Sequence, residues 1–324
     1  MMTGLTERPV VVVAGVGQIG SRHLQGLASS TLDLEIHLVD PSSAALDTAT
    51  ERWASSSGEA SEGRLRLHKS CHGLPPRVDV AVVAATAEIR PILVRELRES
   101  SVVQYWVIEK VLAQNLAGLD DLLASTADAV GAWVNTPRRI IDWYRRIGEA
   151  GAAQAPVEIV VDGGGWGMAC NAVHFLDLCA WWSGGRIDTV DTAGLSPEWL
   201  PARRPGNFEI SGMMEVRFTS GSRVLLQDAG GDEPLTISVS SANHEWNIQE
   251  SVGRAVRSDG RRDDGRLTLQ SELTGGLVDN LLRSGGCGLP TLAEGVDLHR
   301  PFLSAMLNHW RATGHPGAQS VPIT

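Results

Sequence analysis

From residue 9 to about residue 135 the chain alternates apolar runs with amphipathic stretches: PVVVVAG, SRHLQGLASS, LEIHLVD, AALDTATERWA, VDVAVVAAT, RPILVRELRE, VQYWVIEK and LAGLDDLLASTADA follow one another. Strands that are apolar throughout must be covered on both faces. Helices placed between such strands supply the cover and make the sheet parallel. This order predicts a Rossmann-type, doubly wound α/β domain over residues 1–135. After GAWVNTPRR the texture changes. EISGMMEVRFTSG, SRVLLQDAG and LTISVSSANHEWNIQ are spaced by Gly, Ser and Asp turns, which predicts an α+β domain with a large open antiparallel sheet over residues 136–324. LAEGVDLHRPFLSAMLNHWRA has helical spacing and reads as one last long helix, a candidate to pack back on the first domain. RAVRSDGRRDDGRL (254–267) reads as a solvated loop between strands, and ASSSGEASEG (54–63) as a surface loop.

A length of 324 residues with 43% hydrophobic content allows two domains with cores of their own. The formal net charge of -10 argues against a nucleic-acid partner, because phosphate backbones select clustered basic side chains. Lys69 and Lys110 are the only two lysines. The four cysteines, Cys71, Cys170, Cys179 and Cys287, form no CxxC pair and no group with histidine, so neither a disulfide framework nor a zinc site is expected. A cytoplasmic setting fits that usage. The run VVVVA (10–14) is too short to span a bilayer and lacks the pattern of a signal peptide, so no membrane association is expected.

VVVVAGVGQIGSRHL places Gly15, Gly17 and Gly20 in a GxGxxG pattern directly after a strand and at the start of a helix. The glycines serve a tight turn, the approach of a pyrophosphate to backbone, and close helix packing, while the helix N-terminus faces the phosphate charge. Gln18 and Ile19 lie between the last two glycines and are assigned to the same loop. LEIHLVD ends in Asp40, placed where an acid accepts hydrogen bonds from ribose hydroxyls. An acid there repels a 2′-phosphate, so NAD is the expected cofactor. Ser42 and Ser43 keep NADP as the alternative.

WVIEKVLAQNLAGLDDL (106–122) resembles the Gfo/Idh/MocA oxidoreductases, whose fifth strand ends in an E-K-P motif. Glu109 and Lys110 match it, and Val111 replaces the proline, a change that bears on the following peptide because a cis bond is cheap before proline and costly before valine. The resemblance extends through GVGQIGSRHLQGL, VDVAVVAAT and GLPTLAEGVDLHRPFLSAML, nearly the whole chain. It implies that Lys110 lies beside the nicotinamide and the substrate hydroxyl, with Glu109 and Thr86 on the cofactor side. TAEIR (86–90) departs from the Pro, Asn and His often found there. The family's second domain commonly opens on a helix carrying D-x-x-x-H. Here CNAVHFLDLCAWW (170–182) puts His174 on the histidine, implied to exchange a proton with the substrate, and Cys170 on the aspartate.

Helical counting sets Cys170, His174, Asp177 and Trp181 on one face, with Asn171 able to flank His174. Asn171 and Asp177 are therefore candidates to orient the imidazole or to meet substrate. Asn135 and Arg138, with Arg139, stand in WVNTPRR at the domain junction, and Trp166 stands in the GGGWG approach. Such side chains suit the apolar faces and hydroxyl edges of a carbohydrate. The function implied is an NAD(P)-dependent oxidoreductase moving a hydride between nicotinamide and a sugar, cyclitol or nucleotide-sugar hydroxyl or ketone. The alternatives are an NAD-dependent glycosidase or epimerase with transient hydride transfer, and a catalytically silent cofactor-sensing regulator. A homodimer or homotetramer is expected, since the open sheet needs cover.

Overall fold

The computed structural model describes residues 8–57 and 64–324. The chain divides into two compact units that are not contiguous in sequence: Met1–Glu109, Asp120–Asn135 and Thr268–Leu292 form the first, and Lys110–Leu119, Thr136–Leu267 and Ala293–Thr324 the second.

In the first unit six parallel strands, β1 (Val10–Ala14), β2 (Glu35–Val39), β3 (Leu65–His68), β4 (Arg77–Val83), β5 (Val102–Glu109) and β6 (Gly131–Asn135), lie in the order β3-β2-β1-β4-β5-β6. The chain starts at the middle of the sheet, works outward to β3, and returns to the other side of β1. This order leaves a topological switch point at the C-terminal ends of β1 and β4, where open α/β sheets bind ligands. Helices α1 (Gln18–Leu27), α2 (Ser43–Ser57), α3 (Arg90–Ser100) and α4 (Leu116–Ser125) connect the strands. Val11, Val12, Val13 and Ala14, like Val80 to Val83, are fully buried, which explains why these strands are apolar without alternation. The edge strand β3, LRLH, is too short and too polar to stand out in the sequence. The loop expected over 54–63 is corrected in part: residues 54–57 continue α2, and 58–63 lie outside the described residues.

The second unit holds an eight-stranded sheet in the order β14-β13-β12-β11-β7-β10-β9-β8. Its strands are β7 (Glu158–Gly163), β8 (Ile187–Pro201), β9 (Phe208–Phe218), β10 (Arg223–Asp228), β11 (Thr236–Ser240), β12 (Glu245–Gln249), β13 (Arg254–Arg257) and β14 (Arg262–Asp264). The sheet is mixed rather than purely antiparallel, because β10 runs parallel to β7. Alternate residues are buried, as in Ile159 and Val161 of β7, Val224 and Leu226 of β10, and Ile237 and Val239 of β11. The period of two leaves one face to be covered. After the short helix α5 (Asp142–Ile147), helix α6 (Met168–Ser183) lies against β7, β9 and β10.

One further expectation is corrected. The stretch 254–267, read as a loop, contains β13 and β14, the last two strands of the sheet, with β14 at its edge. The closing helix forms over the expected residues as α8 (Leu292–Ala312), in the second unit but for its first residue. A different helix, α7 (Gln270–Ser284), belongs to the first unit and packs on α1. Glycines permit that approach: a Cβ on Gly26 would lie 2.8 Å from Thr274 Cβ, and one on Gly275 only 2.6 Å from the Gly26 carbonyl oxygen.

Candidate active site

The first unit carries the features of a dinucleotide cradle. Gly15 takes a φ of +82°, and a Cβ there would meet the backbone nitrogen of Ala85 at 2.5 Å. A Cβ on Gly20 would stand 1.8 Å from the Gly15 carbonyl oxygen. Gly17 is different, with nothing among the described residues within 4 Å of its Cβ position. It precedes α1 with no side-chain cap, so the first-turn N–H groups, including those of Gln18 and Ile19, lack the partner that a capping residue supplies. Open space beside uncapped helix N–H groups fits a pyrophosphate. Asp40 is fixed at the end of β2, its Oδ2 accepting from Val16 N at 2.9 Å and its Oδ1 from Ser42 N at 2.9 Å. The Gly-rich loop and the acid are thus held as one piece. Thr86 lies in the turn after β4, its carbonyl accepting from Ile89 N and Arg90 N. Buried Arg90 braces that turn through a 2.6 Å bond from Nη2 to the Ala85 carbonyl.

At the C-terminal ends of β5 and β6 the side chains form a buried network. Glu109 Oε1 meets His23 Nε2 at 2.9 Å and accepts a bond from Asn135 Nδ2. Asn135 also donates to Gln270 Oε1 at 2.8 Å, while His23 Nδ1 lies 3.0 Å from Thr274 Oγ1. Asn135, expected to face substrate, sits in this scaffold: it is only 2% exposed and its amide donates to Glu109 and Gln270. Glu109, expected at the cofactor, is likewise the network's centre.

The next residue in the chain, Lys110, joins a cluster in the second unit. The Lys110–Val111 peptide is cis although valine follows. Lys110 Nζ lies 3.0 Å from Cys170 Sγ, 3.3 Å from the Cys170 carbonyl oxygen and 3.5 Å from Asn171 Oδ1. All three belong to the first turn of α6, which starts after Gly167 in a left-handed conformation, φ +76°. Asn171 is oriented by its other end, Nδ2 donating to the Trp166 carbonyl at 2.9 Å. One turn further on, His174 is half-buried, and its Nδ1 has no hydrogen-bond partner among the described residues. Burial, together with the positive charges of Lys110 and Arg138 and the neighbouring His299, holds the imidazole well below its usual range of protonation. It is therefore neutral near pH 7 and has a lone pair to offer.

Three other expected substrate residues are held by partners within the protein. Arg138 makes a bidentate pair with Glu250, two 3.0 Å bonds, and stacks 4.5 Å from the Phe175 ring centroid. With Tyr144 also donating to Glu250, the guanidinium has a structural task, and it acts on His174 through its charge. Asp177 is buried and accepts from Arg139 at 2.7 Å and from Thr136 Oγ1 at 2.9 Å, so it orients those groups rather than His174. Trp166 commits its indole N–H to the Gln227 carbonyl at 2.8 Å and packs edge-on against Phe175.

Glu209 on β9 stands in no motif of the sequence. Its Oε2 accepts from Ala169 N at 2.9 Å and Cys170 N at 3.3 Å, capping α6 from a neighbouring strand. Burial pushes its carboxyl up to about 7, against the lowering effect of those two N–H bonds and of Lys110. Its partners lie 39 and 40 residues away, and no local motif connects them.

The sequence matches no family model and no curated protein. Solved structures do share the fold. UDP-N-acetylglucosamine 3-dehydrogenase from Acidithiobacillus ferrooxidans superposes with a TM-score of 0.68 at 16% identity, covering 96% of this chain and 99% of its own. Scyllo-inositol dehydrogenase from Lactobacillus casei, with NAD(H) and scyllo-inositol bound, gives 0.65 at 12% identity over 94% and 97% of the two chains. An oxidoreductase domain protein from Kribbella flavida gives 0.71 at 16% identity over 95% and 98%. The architecture, a six-stranded parallel sheet followed by a large mixed sheet, is the fold shared with these solved structures.

Proposed function

We propose that the protein is an NAD-dependent dehydrogenase or reductase acting on the CH–OH group of a sugar, cyclitol or sugar derivative. The observation that carries this reading is the cluster around Lys110: an ammonium one residue beyond the C-terminal end of β5 gathered with a neutral histidine on the first turns of α6. Structures of the same fold include enzymes that act on a nucleotide sugar and on an inositol, the latter holding NAD(H). The uncapped start of α1, the open space at Gly17 and the anchored Asp40 suit a dinucleotide without a 2′-phosphate.

When bound, the nicotinamide supplies the hydride donor or acceptor. The chain then has one proton and one developing charge to manage. Lys110 Nζ donates a hydrogen bond to the reacting oxygen and stabilises its negative charge. His174, kept neutral, takes the hydroxyl proton on oxidation and returns it on reduction. Cys170 and Asn171 hold the ammonium meanwhile. No helix among the described residues is long and apolar enough to cross a membrane, and the four cysteines are unpaired, which supports a reducing, cytoplasmic location. The open face of the eight-stranded sheet serves self-association as a homodimer or homotetramer, a state that sedimentation of the intact protein reads directly.

The test is a panel of polyols, cyclitols and nucleotide sugars offered with NAD, followed through nicotinamide absorbance, with NADH binding measured separately by fluorescence. Lys110→Ala is expected to bind NADH while losing turnover by roughly 10²- to 10⁴-fold. Full turnover in that variant, or no dinucleotide binding by the wild type, overturns the assignment.

A further inference from the structure

We propose that Glu209 is the missing acid of the Lys110–His174 site, a positioning residue that holds the first turn of α6 and balances the ammonium of Lys110 from the adjacent strand. The inference rests on the reading of Lys110 and His174 given above. Helix α6 brings no acid of its own to this turn: its first-turn residues are Met168, Ala169 and Cys170. The side chain that stands nearest to Lys110 on the helix is the Cys170 thiol. A carboxylate is nevertheless present, delivered by β9.

Two features show that its placement is built. Glu209 Oε2 accepts both Ala169 N and Cys170 N, filling the cap that Gly167 cannot provide. Gly167 also leaves room for it, since a Cβ there would lie 3.2 Å from Glu209 Oε1 and 3.3 Å from Asn171 Nδ2. The same carboxylate therefore fixes the backbone whose Cys170 carbonyl oxygen and Asn171 amide oxygen receive the Lys110 ammonium. The charged groups acting on it are Lys110, which favours its ionised form, and Asp228 at the end of β10, which opposes it. Desolvation, aided by Asp228, outweighs Lys110 and the two N–H bonds, so the carboxyl changes charge at about 7. A site that already holds a lysine, a neutral histidine and the Cys170 thiol thus acquires a carboxyl that changes charge at about 7.

Cys170 reports on this charge without cofactor or substrate. The thiols of Cys71, Cys179 and Cys287 are buried and pushed up to about 11, 12 and 11, so Cys170, half-buried, is the accessible one. The experiment is iodoacetamide alkylation of the full-length protein between pH 5.5 and 9, with the Cys170 peptide quantified by mass spectrometry and Cys170→Ser as control. In the wild type the logarithm of the rate should rise with pH and break to a shallower slope near 7, where ionised Glu209 begins to oppose the forming thiolate. Glu209→Gln keeps an oxygen for the two N–H groups and removes the charge. It should lose the break and react roughly three- to tenfold faster above pH 8. A merely structural cap would leave the profile of Glu209→Gln like that of the wild type, and that result overturns the proposal, as does an unbroken wild-type rise. Should Glu209→Gln not fold, Glu209→Asp decides: the break must move with the shortened acid, and a break left in place overturns the idea. These readouts are independent of NAD, so a flat result removes Glu209 while leaving the dehydrogenase reading standing, and a failed NADH titration does the reverse.

Discussion

Two titratable groups around Lys110 pull the stability of the protein in opposite directions with pH. Glu209 ionises at about 7 in the folded chain against an ordinary value of 4.5. Between those limits the unfolded chain has released a proton that the folded chain retains. Stability therefore falls as pH rises through the window, and the loss is complete above it. His174 behaves conversely: its folded-state value is lowered, so the unfolded chain gains a proton below about 6.5 that the folded chain refuses, and stability falls as the pH drops. Glu209→Gln is expected to be more stable than the wild type at pH 8, by about 1–3 kcal/mol after allowance for solvent screening, with the difference gone by pH 4.5. His174→Gln should lose less stability than the wild type between pH 6.5 and 5. Denaturant midpoints across pH check both, and parallel curves for variant and wild type contradict them. The contrast between these residues also shows what a sequence discloses about a site. Lys110 and His174 stand in short motifs whose spacing survives reading along the chain. Glu209 acts on Ala169 and Cys170 from a strand 40 and 39 residues on, and Arg138 pairs with Glu250, 112 residues away.

At the scale of elements, the strand–turn–helix at β1 and α1 assigns separate tasks to three glycines that look alike in the sequence. Gly20 lets α1 sit against the turn, because a methyl group would be driven into the Gly15 carbonyl oxygen at 1.8 Å. Gly17 faces open space, has a φ of -62°, and would accept a methyl group without meeting protein. Gly20→Ala is therefore expected to destabilise the fold by several kcal/mol, in the range of overpacked or strained positions. Gly17→Ala should fold with near wild-type stability yet bind NADH at least tenfold more weakly, since its Cβ would crowd a ligand and none of the described residues. Thermal melts beside fluorescence titrations separate the two effects, and a Gly17→Ala protein with undiminished NADH affinity would remove the cradle from this turn. The elements themselves were legible where burial is simple. β1, β2, β4 and β5 are apolar because both faces are covered, and α8 keeps its helical period over its whole length. β3, β13 and β14 were not, being edge or near-edge strands of three or four residues whose charged side chains read as solvated loop.

On the scale of the whole molecule, the division of the chain is a matter of which helix completes which core. A boundary drawn at residue 135 separates the first unit from Thr268–Leu292, a segment its own core requires. Leu277, Val278 and Leu281 of α7 are buried, and each such side chain contributes roughly 1.5–3 kcal/mol by leaving water. Polar contacts add to this: Asp279 accepts from Ser30 Oγ, Thr31 Oγ1 and, at 2.9 Å, Thr31 N, and Thr274 meets His23. Without α7 the carboxylate network at the ends of β5 and β6 also loses Gln270, one of the two acceptors of the Asn135 amide. The sum is comparable with the whole stability of an ordinary domain, about 5–15 kcal/mol. A fragment of residues 1–135 is therefore expected to lack a cooperative unfolding transition. The same fragment joined by a short Gly/Ser linker to residues 268–292 should regain one, and should show a midpoint that rises with NADH concentration as mass action requires, by about 2.7 kcal/mol at a hundredfold excess over Kd. Circular dichroism melts of the two fragments with and without NADH provide the comparison. Cooperative folding and NADH-dependent stabilisation of residues 1–135 alone would mean that α7 is an accessory and not part of the dinucleotide-binding core.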